Sequence, residues 1–455
     1  MNRHIKLAVA IALASAATAS AQNTYSGYFL DDYTYRFQMN PAFGNQDNLV
    51  GIPVIGNINA AMQGNLHLNN VLHVVNGKTV LFTNPEVPSS VVNKFKNVNR
   101  LGTNEKFNIA TAGFKALGGY NTVSISANVN ANIGVPKAFF QLAKEGIENK
   151  TYDIKNLTAN ANAYAQIALN HSRDISQVPG LRVGAALKFY VGVANLDAYF
   201  NRAELQLGEN SWNAITTANI YASINGFKYK TKFNETSGRE YVSGADVDFK
   251  GLNGFGMGFD LGAQYKWRDF DFSLAILDLG FISWGKTQWA STYDAETGSY
   301  DRHVQTSDYI FDASDLDSGW DSLKEGIEDL YQLSDMGELS SRTRAMSATV
   351  NIGVGYEFPL YRPLKFGFLS STVINGRYTW SQARFSANVA PVKWVSASAN
   401  FEASTFGCGF GWLLNFYTRG INVFLGMDHT LGKLAKQGVP LNSNASVNLG
   451  INVPL

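Results

Sequence analysis

The stretch that decides the fold is Val123–Val135, VSISANVNANIGV. Its odd-numbered positions are all apolar, and its even-numbered positions are serine, asparagine or glycine. Successive side chains of a β-strand point to opposite faces of the sheet, so this pattern predicts a strand with one apolar and one polar face. The alternation also runs longer than the usual ~5–6 residues of a strand in globular proteins.

The same alternation recurs along the chain, in 52–68, 157–169, 255–267, 346–358 and 445–455. Such strands fit a soluble sandwich, whose apolar faces point inward, or a membrane barrel, whose apolar face points to lipid. The barrel is favoured because the polar faces consist of Asn, Ser, Thr, Gln and Gly rather than Lys and Glu, and because aromatic residues gather near the strand ends. We therefore predict an all-β fold, a transmembrane antiparallel up-and-down β-barrel.

The composition agrees with a membrane barrel. Of 455 residues, 42 are glycine, 13% are aromatic and 16% are charged, whereas roughly 25% are charged in ordinary soluble domains. The net charge of +1 gives no electrostatic reason to expect a nucleic-acid partner. The single cysteine, Cys408, allows no intramolecular disulfide, and its alternation with Phe406 and Phe410 predicts a lipid-facing or packed position.

The first residues have the features of a secretory signal peptide. Arg3 and Lys6 supply basic charge, 5–17 is a short apolar stretch, and Ala19–Ala21 matches the A-x-A cleavage pattern. An N-terminal membrane anchor is the alternative, but the apolar stretch is shorter than the ~20 residues that a spanning helix needs. We predict a signal peptide at 1–21, a mature chain from Gln22, and localisation in the cell outer membrane.

Sorting the connections by length predicts about fourteen wall strands, within a barrel domain that spans 50–455. The short connections then face the periplasm, and four large outer loops cover 69–106, 136–156, 195–253 and 283–345. The segment 198–225 also alternates; we interpret it as a hairpin inside the outer loop, and it would raise the count to sixteen if it joined the wall. The predicted strands are 50–68, 107–117, 121–135, 157–170, 181–194, 254–267, 270–282, 346–358, 364–375, 377–390, 393–404, 406–417, 420–430 and 443–455.

Helices are predicted in the outer loops, over 88–98, 136–149 and 314–333. The first two begin with proline, which the first turn of a helix tolerates. The third has an apolar stripe among acidic residues, which fits a lid, a docking element, or a helix that simply folds its loop over the barrel mouth.

The segment before the first strand contains RFQMNPAFGN, Arg36–Asn45. Its Asn-Pro-Ala sequence predicts a turn, because proline fixes its own φ and restricts the residue before it. An early Asn-Pro-Ala, fourteen antiparallel strands and bulky outer loops resemble the long-chain fatty-acid transporter family of outer-membrane barrels. The resemblance implies that 22–49 folds into the lumen as a hatch, or plug, with Asn40, Pro41 and Ala42 as its motif.

A closer resemblance is carried by NPAFG, by the predicted hairpin 253–285 and by the Asn-rich alternation. These stretches are similar to an outer-membrane family of Bacteroidota whose function is unassigned and which is related to the barrel component of the type IX secretion system. Two functions follow: a channel or transporter for a small hydrophobic or amphipathic molecule, or a non-conducting scaffold or shuttle component of a secretion or assembly complex. The expected partners are outer-membrane lipid and, through extracellular loops or periplasmic turns, other proteins.

Amide side chains of two neighbouring predicted strands form one polar array that faces the lumen. They fit a path for a polar solute, or a hydrogen-bonded filling between wall and hatch, since buried amides must be paired. A fatty-acid conduit would need an apolar interior, which these inward faces do not supply. The array consists of Asn128, Asn130, Asn132, Asn160, Asn162 and Gln166.

Catalytic and cofactor-binding motifs are absent: the sequence contains no HExxH, GxSxG or Walker pattern. The glycines of GFGMGFDLG alternate with large apolar residues, which is strand spacing rather than that of a phosphate-binding loop. His429 beside Asp428 and Thr430 is the one cluster that suggests hydrolysis. We predict a protein that is not an enzyme and that has no cofactor and no metal.

Overall fold

The structure is a computed structural model that describes residues 24–146, 149–207, 211–234, 239–293, 298–299, 302–307, 332–430 and 443–455. The predicted signal peptide at 1–21 and nearly all of the predicted helix at 314–333 lie outside the described residues. Within those described ranges, no helix combines the length and the hydropathy that crossing a bilayer requires.

The strands pair with their neighbours along the chain until the sheet closes on itself. Leu49 pairs with Pro454 and Ile58 pairs with Leu449, so the first wall strand joins the last. Fourteen antiparallel strands form the wall, which confirms the predicted fold class and strand number. Because the sheet is closed, its wall has no free edge.

The α-helices are α1 Leu68–Val71 and α2 Lys137–Glu145, and short 3₁₀ turns cover Tyr25–Gly27, Arg36–Gln38, Ser89–Lys94 and Gly376–Tyr378. The strands are β1 Leu49–Gly51, β2 Ile58–Gly64, β3 Leu72–Val75, β4 Lys78–Leu81, β5 Val98–Ala116, β6 Gly119–Pro136, β7 Lys150–Asp153, β8 Thr158–Asp174, β9 Leu181–Leu207, β10 Ser211–Ile224, β11 Phe227–Asn234, β12 Arg239–Val247, β13 Gly254–Trp267, β14 Phe270–Ser291, β15 Arg302–Ser307, β16 Ser334–Ala345, β17 Ala348–Glu357, β18 Leu364–Ile374, β19 Trp380–Val392, β20 Val395–Ser404, β21 Gly407–Thr418, β22 Ile421–Met427 and β23 Ala445–Pro454. In the wall, β1 and β2 lie end to end as one strand, and so do β16 and β17; the other wall strands are β5, β6, β8, β9, β13, β14 and β18 to β23.

The outer surface of the wall is apolar and its inner surface is polar. On β6, Ile125 is exposed whereas Ser126 beside it is buried. Phe255 on β13 is 60% exposed, and Trp267 and Trp394 are exposed at strand ends beside short turns. A closed sheet with this distribution has the surface of a membrane-spanning barrel, whose apolar band meets hydrocarbon.

Several wall strands begin or end further out than predicted. β5 begins at Val98 rather than at 107, β9 continues to Leu207, and β14 continues to Ser291. These outer extensions carry polar residues on both faces, so the alternation that marks the spanning part does not mark them. The predicted loops 69–106, 195–253 and 283–345 are therefore too wide.

The predicted hairpin in 198–225 is wrong in its placement. The first half of this segment forms the outer part of β9, and the second half forms β10, which pairs with it; Ile220, for example, pairs with Ala198. On its other side β10 pairs with β14, where Tyr221 faces Trp289. Because β13 begins only at Gly254, β10 occupies the position between β9 and β14 beyond the start of β13. β10 does not cross the membrane, so the number of wall strands stays at fourteen.

The first predicted strand, 50–68, is also broken. β1 ends at Gly51 and β2 begins at Ile58, with a turn between them in which the Gly56 amide donates to the Ile52 carbonyl over 2.7 Å. Pro53 explains the break, because proline has no N–H to donate to a sheet ladder.

Helical structure in the loops over the outer mouth is short. In 88–98 the structure has a 3₁₀ turn, Ser89–Lys94, and the chain is already extended at Phe95. In 136–149 it has α2, which begins after Pro136. The rings of Phe95 and Phe140 stack at 3.9 Å in a small apolar core, which holds these two elements together.

Candidate functional site

The N-terminal segment (residues 24–48) lies inside the barrel. Its aromatic side chains form a buried cluster with wall residues such as Leu369 and Phe424. Burial raises the pKa of Tyr25 and of Tyr28 to about 12. Tyrosine hydroxyls that are neutral and hydrogen-bonded are suited to such a position. Each aromatic residue of the segment is buried, namely Tyr25, Tyr28, Phe29, Tyr33, Tyr35, Phe37 and Phe43.

The Asn-Pro-Ala turn is fitted closely to the wall. The Asn40 side chain is fully buried; its Oδ1 accepts from the Ala42 amide at 2.9 Å, and its Nδ2 donates to the Ala263 carbonyl at 3.2 Å. A Cβ at Gly184 would collide with the backbone of Pro41, and a Cβ on Gly262 of the next strand would collide with the same turn. Glycine at these two wall positions is what lets the turn approach so closely.

The first residues of the segment are bound to one carboxylate of the wall. Asp428 accepts hydrogen bonds from the Tyr25 amide at 2.9 Å, from the Ser26 amide at 2.6 Å and from the Ser26 hydroxyl at 2.6 Å. Arg384 lies beside it, almost fully buried, with its guanidinium 2.9 Å from Glu402. Buried charges need such partners. We name this group the Asp428 anchor.

In the structure, His429 of the cluster that suggested hydrolysis lies beside Glu402. The Nδ1 atom of His429 lies 2.8 Å from Glu402, and the side chain is buried. Asp428 does not orient His429 but holds the N-terminal segment. Cys408, which was predicted at a lipid-facing or packed position, is exposed on β21.

A second charged group holds the middle of the segment. Asp31 lies 2.6 Å from Arg36 and 2.9 Å from Lys365. Burial alone would raise the pKa of Asp31, but the two cations outweigh it and hold that pKa well below its usual range. Asp32 differs: it accepts from the Ser396 hydroxyl at 2.7 Å, but it has no comparable cation, so burial raises its pKa.

A cavity of about 180 Å³ lies in the lumen next to Tyr25. All six residues of the predicted polar array line this cavity, and the N-terminal segment contributes only Tyr25 to its lining. Some of the amides pair with one another: Asn162 donates to Asn160 at 3.0 Å, and Asn195 donates to Asn162 at 2.5 Å. The array thus faces open space, and its role as a solute path stays a prediction.

One charged cluster of the inner wall was not predicted. Lys188 lies 2.7 Å from Asp260 and 2.6 Å from Asp278, and the Tyr190 hydroxyl donates to Asp278 at 3.2 Å. A register shift between β13 and β14 turns Asp278, at φ 56°, toward this cluster. Its signal in the sequence is an aspartate that breaks the apolar run ILDLG. Among the described residues, no group of three His, Cys, Asp or Glu side chains is placed to hold a metal ion.

Comparison with known proteins gives one decisive match. The sequence fits the model of the Family of unknown function (DUF5723) over residues 41–428. The chain belongs to this family. The DUF5723 match begins inside the Asn-Pro-Ala turn and ends at Asp428, so it covers most of the wall. No curated protein matches the sequence.

Solved structures with a fold similar to that of this DUF5723 protein include two toluene transporters and a FadL homologue. They are the toluene transporter TbuX of Ralstonia pickettii (9% identity, 92% of this chain and 93% of that chain, TM-score 0.39), the toluene transporter TodX of Pseudomonas putida (8%, 96% and 95%, 0.37) and a FadL homologue of Pseudomonas aeruginosa (9%, 96% and 99%, 0.37). TM-scores this low say nothing about what the DUF5723 chain binds. The relation to a Bacteroidota family and to the type IX secretion barrel stays a prediction.

Proposed function

We propose that this DUF5723 protein is an outer-membrane channel for a small molecule, in which the N-terminal segment is a plug. One observation carries the proposal: a cavity lies on each side of the segment. The cavity beside Tyr25 faces the outer mouth, and a second one of about 800 Å³, lined by Asp31 and Asp32 of the segment and by Trp394, lies at the end with the short turns.

The plug closes the path between these two cavities in the present arrangement. It is held by polar contacts as well as by its aromatic cluster: the Asp428 anchor at one end, and the pairs of Asp31 and Asp32 at the other. Water can replace polar contacts of this kind at modest net cost. Passage therefore requires a part of the plug to leave the wall.

The outward apolar face supports contact with membrane lipid along the whole wall. We also propose that the protein is located in the outer membrane and that residues 1–21 are removed on export. Fractionation of the native cells and mass spectrometry of the mature N-terminus test it, and a protein that retains 1–21 would contradict it. No described surface favours the alternative of a non-conducting scaffold, and the two cavities argue for a channel.

A cross-link tests the plug directly. Ser26 accepts from the Asn400 amide at 2.9 Å, so Ser26→Cys with Asn400→Cys, in a Cys408→Ser background, should form a disulfide that fixes the plug to the wall. In planar bilayers we expect the oxidised protein to conduct less than the reduced one, with full recovery on adding reductant.

The matched control is each cysteine alone in the same background, which should show no response to reductant. Equal conductance of the oxidised and reduced double variant, once the disulfide is verified by mass spectrometry, would contradict a moving plug. Deletion of 24–48 with unchanged conductance and unchanged unfolding would contradict a plug of any kind.

A further inference from the structure

Three aromatic rings form a ladder on the outer part of the wall. Tyr199 stacks on Tyr221 at 6.2 Å, and Tyr221 stacks on Trp289 at 5.8 Å with 8° between the planes. The guanidinium of Arg342 lies 3.9 Å from the centre of the Tyr221 ring, and that of Arg377 lies 5.0 Å from the centre of the Tyr199 ring. We name these five side chains the aromatic ladder.

The ladder faces the lumen. Tyr221 lies directly across from Asp197, whose carboxylate is 3.1 Å from Arg344, and Arg344 lines the cavity beside Tyr25. The opposite face of β10 and β14 is covered, because Tyr229 of the β11–β12 hairpin packs on Ala218 and Ala290 there. The three rings are only half-buried, so part of each is open to whatever enters the mouth.

Below the ladder, the cavity presents hydrogen-bonding groups of both kinds. A carboxamide offers two donors and one acceptor oxygen, and the six carboxamide side chains of the predicted array line the cavity. Gln63 adds another, and its Nε2 is buried without a hydrogen-bond partner in the described part of the chain. At about 180 Å³ the space is smaller than the roughly 300–1,000 Å³ of most ligand pockets. It therefore suits a small ligand rich in hydroxyl groups.

The charges along this route favour an anion. Arg342 and Arg344 share the single carboxylate of Asp197, at 2.5 Å and 3.1 Å. Arg100, which also lines the cavity, donates to the Thr379 carbonyl at 3.2 Å and has no carboxylate partner among the described residues. Asp278, the acidic residue of the lining, is already bonded to Lys188. A surplus of guanidinium groups attracts carboxylates and binds them in a forked geometry.

We propose that the channel takes up a small acidic sugar, a polyhydroxylated ring with one carboxylate. The apolar face of such a ring packs against the exposed edges of the ladder, its hydroxyls bond to the carboxamides, and its carboxylate binds the arginines. This inference rests on the proposed function, since it names the substrate class of the same channel. It disfavours a hydrocarbon or a fatty acid, whose chain offers no partner to Nε2 of Gln63.

Binding to the detergent-solubilised protein tests this proposal apart from transport. Isothermal titration with glucuronate, glucose and decanoate should give the tightest binding for glucuronate, weaker binding for glucose and none for decanoate. Tyr221→Ala should weaken both sugars about fivefold, the loss expected for one stacking contact. Arg344→Gln should weaken glucuronate and leave glucose unchanged.

The matched controls are Tyr265→Ala on the lipid face and Arg173→Gln at the opposite end of β8, and both should bind like the unmodified protein. Binding of decanoate without glucuronate overturns the proposal, as does equal loss of both sugars in Arg344→Gln. Conductance that responds to the plug cross-link, in a protein that binds no sugar, would contradict the substrate class but not the channel. Sugar binding by a protein that does not conduct would contradict the channel but not the binding of acidic sugars.

Discussion

Replacing Asp428 by asparagine should release the first turn of the plug while the wall stays intact. The carboxylate accepts three hydrogen bonds from Tyr25 and Ser26. Hydrogen bonds to a charged group contribute about 1.5–3 kcal/mol each, but three bonds to one side chain are not additive. An asparagine keeps one oxygen and turns an N–H toward the other donors. We therefore expect a loss of about 3 kcal/mol in plug attachment, near the lower end for a buried charged network.

Hydrogen exchange measured by mass spectrometry reports on the release of the first turn of the plug separately from the rest of the protein. A loss of about 3 kcal/mol corresponds to roughly a hundredfold larger population with the 24–30 backbone released. The peptide covering 24–30 should exchange faster by that factor, whereas peptides of β6 and β8 should not change. Asp174→Asn is the matched control, because that carboxylate is 79% exposed at a strand end. Unchanged exchange of 24–30 in Asp428→Asn would refute the anchor.

Four further predictions concern the packing of the plug and wall. Gly184→Ala should lower the free energy of unfolding by about 1–3 kcal/mol in urea, because its Cβ meets the Asn-Pro-Ala backbone; Gly285→Ala, whose Cβ meets one side-chain atom at 3.4 Å, should be close to neutral. Asp31→Asn should loosen the plug by up to about 1 kcal/mol at pH 7, since its carboxylate is partly exposed. The depressed pKa of Asp31 means that its contribution is present above the ordinary value of 3.8 and is lost as the pH falls below it. Asp32→Asn should instead stabilise the attachment of the plug at pH 7, because the raised pKa of Asp32 means that its ionised carboxylate costs stability as the pH rises above 3.8. Equal dependence of stability on pH in the two variants would contradict both assignments. Lys188→Met should cost about 3–5 kcal/mol, because it leaves two carboxylates without their cation; a variant that unfolds at the same urea concentration as the unmodified protein would count against the cluster.

The spanning strands could be predicted because one physical rule governs them. β13 occupies Gly254–Trp267, the predicted 254–267, since lipid on one side and the lumen on the other enforce strict alternation there. Above the membrane both faces meet water or loops, so the alternation ends although the ladder continues, as in β9 up to Leu207. The turn at Pro53 was missed because the alternation of side chains runs through a residue that cannot join the ladder.

The candidate site could be predicted only in part, for a related reason. Strand parity alone predicts which side chains face the lumen, and Asn128 and Asn160, predicted on that basis, line the cavity beside Tyr25. The contacts that matter most join residues far apart in the chain, such as Ser26 with Asp428 or Tyr221 with Arg342. Strand register and bulges decide which of these residues come into contact, and a register shift of one residue turns every side chain of a strand to the opposite face of the sheet. The helix predicted at 314–333 stays a prediction.

The interrupted first strand bears on how the barrel is made. The first and last strands of a closed sheet can meet only when all the others are in place, so their junction forms last. Here that junction is two short ladders, Leu49–Gly51 and Ile58–Met62 against β23, separated by the turn at Pro53. The chain that enters the lumen is tethered at Leu49, beside this junction. We therefore expect the amino-terminal segment to enter the lumen through the gap at this junction during insertion, before the first and last strands pair.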